Sequence, residues 1–150
     1  MTDRVVIADR VADAGLALLA RSPELEVVNC AGQPRDTLER ALGGAAALVV
    51  RSETQVTADL LTRAPQLRVI ARAGTGVDNI DVHAATRRGI AVMNAPGANT
   101  VSAAEHALGL LLALARHIPW AAEAMRRGEW DRKRFEGREL RGKTIGVVGL

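Results

Sequence analysis

Residues 67–93 read LRVIARAGTGVDNIDVHAATRRGIAVM, and this stretch decides the fold class. The apolar runs at its two ends, residues 67–71 and 90–93, are typical of short buried strands. Between them, Asn79 or Asp81 opens a helix that stops at Gly89, a common position for a left-handed helix end. A strand, a crossover helix and a second strand are the unit from which parallel sheets are built.

The same pattern recurs upstream at a spacing of about 20 residues. Further strands are predicted at residues 5–8, 25–28 and 46–50, and further helices at 11–20, 34–42 and 57–64, the last capped by Thr57. Residues 1–96 are therefore predicted to form an α/β domain with a five-stranded parallel sheet and helices on both faces.

The character of the chain changes after residue 96. Ser102 and Glu105 have the spacing of a capping box, which predicts a helix of residues 103–117 ended by Pro119. Nearly every position of that helix is apolar, so we expect a second domain and a partner subunit to bury it. A second helix is predicted at residues 121–127. Residues 144–149 are predicted to begin a new strand that does not join the first sheet.

Composition narrows the possible functions. No apolar run is long enough to span a bilayer, and no spacing of Cys, His and Asp predicts a metal site. The single cysteine, Cys30, favours a reducing compartment, with the cytoplasm as the expected location. The net charge of +3 arises between Arg126 and Lys143, a segment that carries +4 and has few aromatic residues. Nucleic acid is therefore not the expected partner.

Polar residues follow several of the predicted strands, at the edge where parallel sheets bind ligands. Asp9 follows the first strand, Arg51 and Ser52 the third, and Arg72 begins an Arg-Ala-Gly-Thr-Gly segment after the fourth. Arginine offers a planar set of donors suited to carboxylate or phosphate, so the edge is interpreted as a site for a small anion. The alternative is that Arg51 and Arg72 merely pair with surface acids.

Five motifs carry a resemblance that covers essentially the whole chain. They are residues 50–52, 71–81, 93–106, 130–135 and 142–150. In order and spacing they resemble the D-isomer-specific 2-hydroxyacid dehydrogenases, and most closely the branch that oxidises 3-phosphoglycerate. The resemblance implies a flavodoxin-like substrate domain, residues 1–96, followed at 97–150 by a crossing helix and the beginning of a Rossmann NAD-binding domain, truncated within its glycine motif.

The resemblance also implies roles for particular residues. The substrate 3-phosphoglycerate would be bound by Arg51, Ser52, Arg72, Ala73 and Gly74, and by Arg132 acting on the neighbouring subunit, although a solvated charge run explains Arg132 equally well. NAD would be touched by Thr75, Asn99 and Gly149. The catalytic His, Glu and Arg of the family are expected beyond Leu150, so the 150 residues alone should be inactive. A homo-oligomer is expected to form through the helix between Ser102 and His117.

Three alternatives to this function remain open at this point. The first is another D-2-hydroxyacid dehydrogenase, of the glyoxylate or hydroxypyruvate reductase type. The second is a corepressor-like protein that shares the fold and senses NAD. The third is a remnant without catalysis. Under the leading hypothesis the intact enzyme oxidises 3-phosphoglycerate to 3-phosphohydroxypyruvate with NAD, the first step of L-serine biosynthesis.

Overall fold

A computed structural model describes residues 2–148 of the chain. The chain divides into two compact units, with the boundary between Ala98 and Asn99. Within residues 2–148, no helix is both long enough and apolar enough to cross a membrane.

The first unit is built on a five-stranded parallel sheet, as predicted. The strands are β1 (Asp3–Ile7), β2 (Leu25–Asn29), β3 (Ala47–Val50), β4 (Val69–Arg72) and β5 (Ala91–Met93), in the spatial order β2-β1-β3-β4-β5. All neighbouring strands are parallel, so all their carboxyl ends lie at one edge. From β1 the chain continues to β2 at one edge of the sheet, and from β3 it continues through β4 to β5 at the opposite edge. This strand order is that of a doubly wound fold.

Helices cover the sheet between successive strands. They are α1 (Asp13–Ala20), α2 (Arg35–Leu42), α3 (Ala58–Thr62) and α4 (Val82–Arg87). Thr57 caps α3 by accepting a hydrogen bond from the Leu60 N–H, and Asp81, rather than Asn79, caps α4 in the same way. Gly89 follows α4 with a φ of +69°, which a residue with a side chain adopts only under strain.

The core of this unit contains no aromatic side chain, because residues 1–98 contain no Phe, Trp or Tyr, and apart from Cys30 it is aliphatic. Val6, Leu48 and Ile70 on the three central strands are at most 1% exposed and pack with helix residues such as Leu42 and Leu61. These buried side chains hold the central strands rigidly, so the loops at their carboxyl ends start from fixed positions.

The second unit is helical where it is regular, and two predictions about the ends of its helices were wrong. It contains α5 (Thr100–Ala115), α6 (Ile118–Arg126) and a 3₁₀ helix (Lys133–Phe135). Because α5 begins two residues before Ser102, Ser102 lies inside the first turn and cannot act as the N-cap of a capping box. The chain turns instead at His117, with a φ of +54°, and Pro119 stands in the first turn of α6, where its missing N–H costs nothing.

The strand predicted near the end of this unit also needs correction. No strand forms among residues 143–148, and Gly149 lies outside the described residues. Apolar residues alone do not make a strand, since its backbone groups need a paired neighbour. Burial of helix α5 was expected to come from a second domain and a partner subunit, and among residues 2–148 none of its residues is buried; Leu108, for example, is 56% exposed. Its burial by a partner subunit remains a prediction.

Candidate functional site

The candidate site is the carboxyl edge of the sheet, where β3 and β4 run side by side. Val50 and Arg72 are register partners in the two strands. Arg51, the next residue along β3, therefore emerges beside Arg72. The loop of residues 51–54, here called the β3 loop, and residues 73–76, here called the glycine loop, follow these two strands.

Asp9 holds the β3 loop from the side of β1. It is only 2% exposed, and its carboxylate accepts hydrogen bonds from the N–H groups of Arg51 (2.6 Å), Glu53 (3.2 Å) and Thr54 (3.1 Å). The Thr54 hydroxyl donates a further, short hydrogen bond to the same carboxylate. One buried side chain thus satisfies three backbone donors of a loop that could not pair in the sheet.

The same contacts keep Asp9 ionised. Burial by itself would raise the pKa of this carboxyl, but the hydrogen bonds from the Thr54 hydroxyl and from the three N–H groups outweigh burial and lower its pKa below the ordinary value of 3.8. Hydrogen bonds that stabilise the charged form act in this direction. Asp9 is therefore a buried anion, and among residues 2–148 its side-chain hydrogen bonds all come from the β3 loop.

Asn79 holds the same loop from the side of β4. Its side chain is 5% exposed, and its Nδ2 donates to the carbonyl oxygens of Arg51 (2.9 Å) and Thr54 (2.7 Å). Its Oδ1 accepts a hydrogen bond of 2.7 Å from Nε of Arg72. Asp9 thus accepts hydrogen bonds from N–H groups of the β3 loop, and Asn79 donates hydrogen bonds to its C=O groups.

Arg72 is turned into the protein rather than outward. Its side chain is 11% exposed. Nε also donates to the Arg51 carbonyl (3.0 Å), Nη1 donates to the Gly76 carbonyl (2.8 Å), and Nη2 lies 3.3 Å from the Asp78 carboxylate. The guanidinium therefore acts as a tie between the β3 loop and the glycine loop.

The glycine loop is shaped around that guanidinium. A Cβ at Gly74 would lie 2.9 Å from Nη1 of Arg72, closer than such contacts come. On its other side the loop is attached to the residues after β5, since Asn94 Nδ2 donates to the Thr75 carbonyl (2.6 Å) and the Ala95 N–H donates to the Gly74 carbonyl (2.9 Å). The glycines were expected to admit a ligand, but in this structure Gly74 makes room for the Arg72 guanidinium and Gly76 for the Asp78 carboxylate.

The residues predicted to bind substrate differ in their exposure to solvent. Arg51, Ser52 and Ala73 are exposed, and Gly74 is half-buried. Among residues 2–148, the Arg51 guanidinium makes a single hydrogen bond, a long one of 3.3 Å to the Arg10 carbonyl. Arg51 is thus an exposed cation at this edge, next to the exposed Arg10.

The remaining predicted residues lie elsewhere in the chain. Thr75 is exposed on the glycine loop, whereas Asn99 and Arg132 belong to the second unit. Asn99 precedes α5 without a side-chain capping bond, and the guanidinium of Arg132 lies 5.3 Å from the centre of the Trp130 ring. Gly149 lies outside the described residues.

A cavity of about 360 Å³ opens at the same edge on the other side of Asp9. Its walls come from the ends of β1 and β2, from the start of α2 and from the residues after Ser52. They include Asp9, Cys30, Gln33, Arg35, Thr54 and Gln55, and neither Arg51 nor Arg72. Burial raises the pKa of the Cys30 thiol, which keeps it protonated and unreactive at neutral pH.

Comparison with known proteins assigns the chain to a family. The family model for the D-isomer specific 2-hydroxyacid dehydrogenase catalytic domain matches residues 5–144, and the chain belongs to this family. It is 49% identical to the D-3-phosphoglycerate dehydrogenase of Archaeoglobus fulgidus over 98% of its length, and 46% identical over the same share to that of Homo sapiens. The chain spans 28% and 27% of the lengths of these two relatives.

Solved structures agree with this assignment. The TT0316 protein from Thermus thermophilus superposes with a TM-score of 0.79 and 34% identity, over 93% of this chain and 46% of that one. The NAD-dependent formate dehydrogenase from Staphylococcus aureus, solved in complex with NAD, superposes with a TM-score of 0.78 and 26% identity, over 88% of this chain and 44% of that one.

Proposed function

We propose that the chain is part of an NAD-dependent D-3-phosphoglycerate dehydrogenase, which in its intact form oxidises 3-phosphoglycerate to 3-phosphohydroxypyruvate in the cytoplasm. Residues 1–96 would be the substrate-binding domain and residues 97–150 the crossing helix and the beginning of the NAD-binding domain. The similarity to phosphoglycerate dehydrogenases of an archaeon and of a mammal over 98% of the chain supports this choice.

The observation that carries the proposal is the exposed Arg51 on an immobilised loop. Its neighbour Ser52 is also exposed, and the backbone of both residues belongs to a loop held by Asp9 and Asn79. An arginine in such a setting can bind the carboxylate or phosphate of 3-phosphoglycerate through two parallel hydrogen bonds. Arg72 would contribute by fixing the two loops, and the Ala73–Gly74 backbone by lining the site.

The proposed cofactor is NAD, which accepts the hydride when bound. Thr75 fits a contact with it from the first unit, because it is polar, exposed and on a loop attached to Asn94. Asn99 and Gly149 would contribute from the residues that follow. We further propose that Arg132 reaches the substrate phosphate of a neighbouring subunit, and that the exposed leucines of α5 form part of a homo-oligomer interface.

The test is the formation of NADH by the intact enzyme given NAD and 3-phosphoglycerate. We expect Arg51→Ala to raise KM for 3-phosphoglycerate about 10- to 100-fold, the range for a lost charged hydrogen bond, and to leave KM for NAD unchanged. Residues 1–150 alone should show no turnover. An intact protein that binds NAD but forms no NADH with any 2-hydroxy acid would favour the corepressor-like alternative instead.

A further inference from the structure

Two buried side chains outside the predicted site make their side-chain hydrogen bonds to the β3 loop and to Arg72. Asp9, just after β1, bonds only to the β3 loop, and Asn79, just before α4, bonds only to that loop and to Arg72. These statements concern residues 2–148. We infer that Asp9 and Asn79 are positioning residues that set the direction of the Arg51 side chain for binding the substrate anion.

The geometry around Arg51 carries this inference. A residue has two soft backbone dihedrals, and each is set once the peptide groups on its two sides are fixed. The N–H on one side of the Arg51 Cα donates to Asp9 at 2.6 Å, and the C=O on the other side accepts from Asn79 at 2.9 Å. Both dihedrals of Arg51 are therefore set by side chains from other elements, and with them the direction of its Cα–Cβ bond.

The arrangement serves stability and geometry together. Asp9 and Asn79 bond backbone N–H and C=O groups of the β3 loop that would otherwise lack partners in the sheet. With Arg72, which also donates to the Arg51 carbonyl at 3.0 Å, they hold this exposed loop in a single conformation. A small displacement of a binding group weakens substrate binding strongly, so a fixed Arg51 has a functional consequence. The inference rests on the proposed function, since it takes Arg51 as a substrate contact.

The first arm of the test measures the loop itself, in the 150-residue chain. Asp9→Asn would set an amide donor against backbone donors and risks unfolding the chain, so Thr54→Val, which removes only the hydroxyl bond to Asp9, is the main variant. Thr57→Val is its matched control, because it removes a hydroxyl whose hydrogen bond, from the Leu60 N–H, caps α3 and does not involve Asp9 or Asn79. Thr54→Ser retains the hydroxyl.

Amide hydrogen exchange followed by NMR reports on the bonds to Asp9. We expect the N–H groups of Arg51, Glu53 and Thr54 to exchange about tenfold faster in Thr54→Val, the factor for one lost charged hydrogen bond, and at nearly the original rate in Thr54→Ser and Thr57→Val. Equal exchange of these three groups in Thr54→Val and Thr57→Val would overturn the inference whatever the enzyme does.

The second arm measures kinetics in the intact enzyme. We expect Thr54→Val to raise KM for 3-phosphoglycerate about tenfold with little change in kcat or in KM for NAD, and Thr54→Ser to restore it. Arg51→Ala is measured alongside. If Arg51→Ala raises KM and Thr54→Val does not, the positioning role is wrong and the proposed function stands. If Arg51→Ala leaves KM unchanged, the substrate site is wrong and the positioning role fails with it.

Discussion

Arg51 and Arg72 are alike in sequence context but should differ sharply in their contribution to stability. Arg72 donates two short hydrogen bonds at 11% exposure, to Asn79 Oδ1 and to the Gly76 carbonyl. Its contact with Asp78 counts for little, because that carboxylate is 83% exposed. At roughly 1.5 kcal/mol for each charged hydrogen bond, with allowance for non-additivity, Arg72→Ala should lower the free energy of unfolding by about 2–4 kcal/mol.

Arg51→Ala is the matched control, since it removes an exposed guanidinium with one bond of 3.3 Å and should change stability by less than about 0.5 kcal/mol. Urea unfolding of the 150-residue chain, followed by circular dichroism, measures both. With a slope of roughly 1.5 kcal/mol per molar urea, Arg72→Ala should lower the midpoint by about 1–3 M and Arg51→Ala should barely move it. Equal shifts of the two midpoints would show that Arg72 is not the tie between the loops.

Two further predictions follow from the same network. Because the pKa of Asp9 is lower in the folded chain than its ordinary value of 3.8, its stabilisation is complete above about pH 4 and is lost as the pH falls below that. The urea midpoint of the unmodified chain should therefore drop more between pH 6 and pH 3 than that of Thr54→Val, which lacks one of the hydrogen bonds that lower this pKa. Parallel curves would contradict this. Gly74→Ala should cost about 1–3 kcal/mol, because its Cβ would press on the tethered Arg72. Gly15→Ala, in α1 with nothing within 4 Å, should instead gain about 0.5–1 kcal/mol, and equal effects would refute the crowding argument.

Local patterns were enough to predict the architecture of the first unit. All five strands occur where β-branched apolar runs predicted them, and Thr57 and Asp81 cap the helices they were expected to open. Such features depend on a few neighbouring residues, so a single sequence contains the information. In the second unit the same rules failed at Ser102 and Pro119. Serine and proline are also tolerated inside the first turn of a helix, which is where these two residues lie.

The network behind the site could not be predicted in the same way. The sequence placed Arg72 at the end of a strand, but whether its side chain points outward or back toward Asn79 depends on where the loops leave their unpaired backbone groups. Asp9 was noticed only as an acid after the first strand. The sequence did contain a signal for the role of Asp9. It is an ionisable residue directly after a fully apolar run, and the loop after the neighbouring strand carries the hydroxyl of Thr54. The partners of Asp9 are 42–45 residues away in sequence, so only the fold identifies them.

Under the proposed function, this edge of the sheet binds a phosphorylated 2-hydroxy acid. The most direct measurement compares kcat/KM of the intact enzyme for reduction of 3-phosphohydroxypyruvate and of glyoxylate by NADH. We expect the phosphorylated substrate to be preferred by about 100-fold or more, since glyoxylate lacks the group that forms the additional charged hydrogen bonds. Equal or better turnover of glyoxylate would contradict the account and favour a glyoxylate reductase.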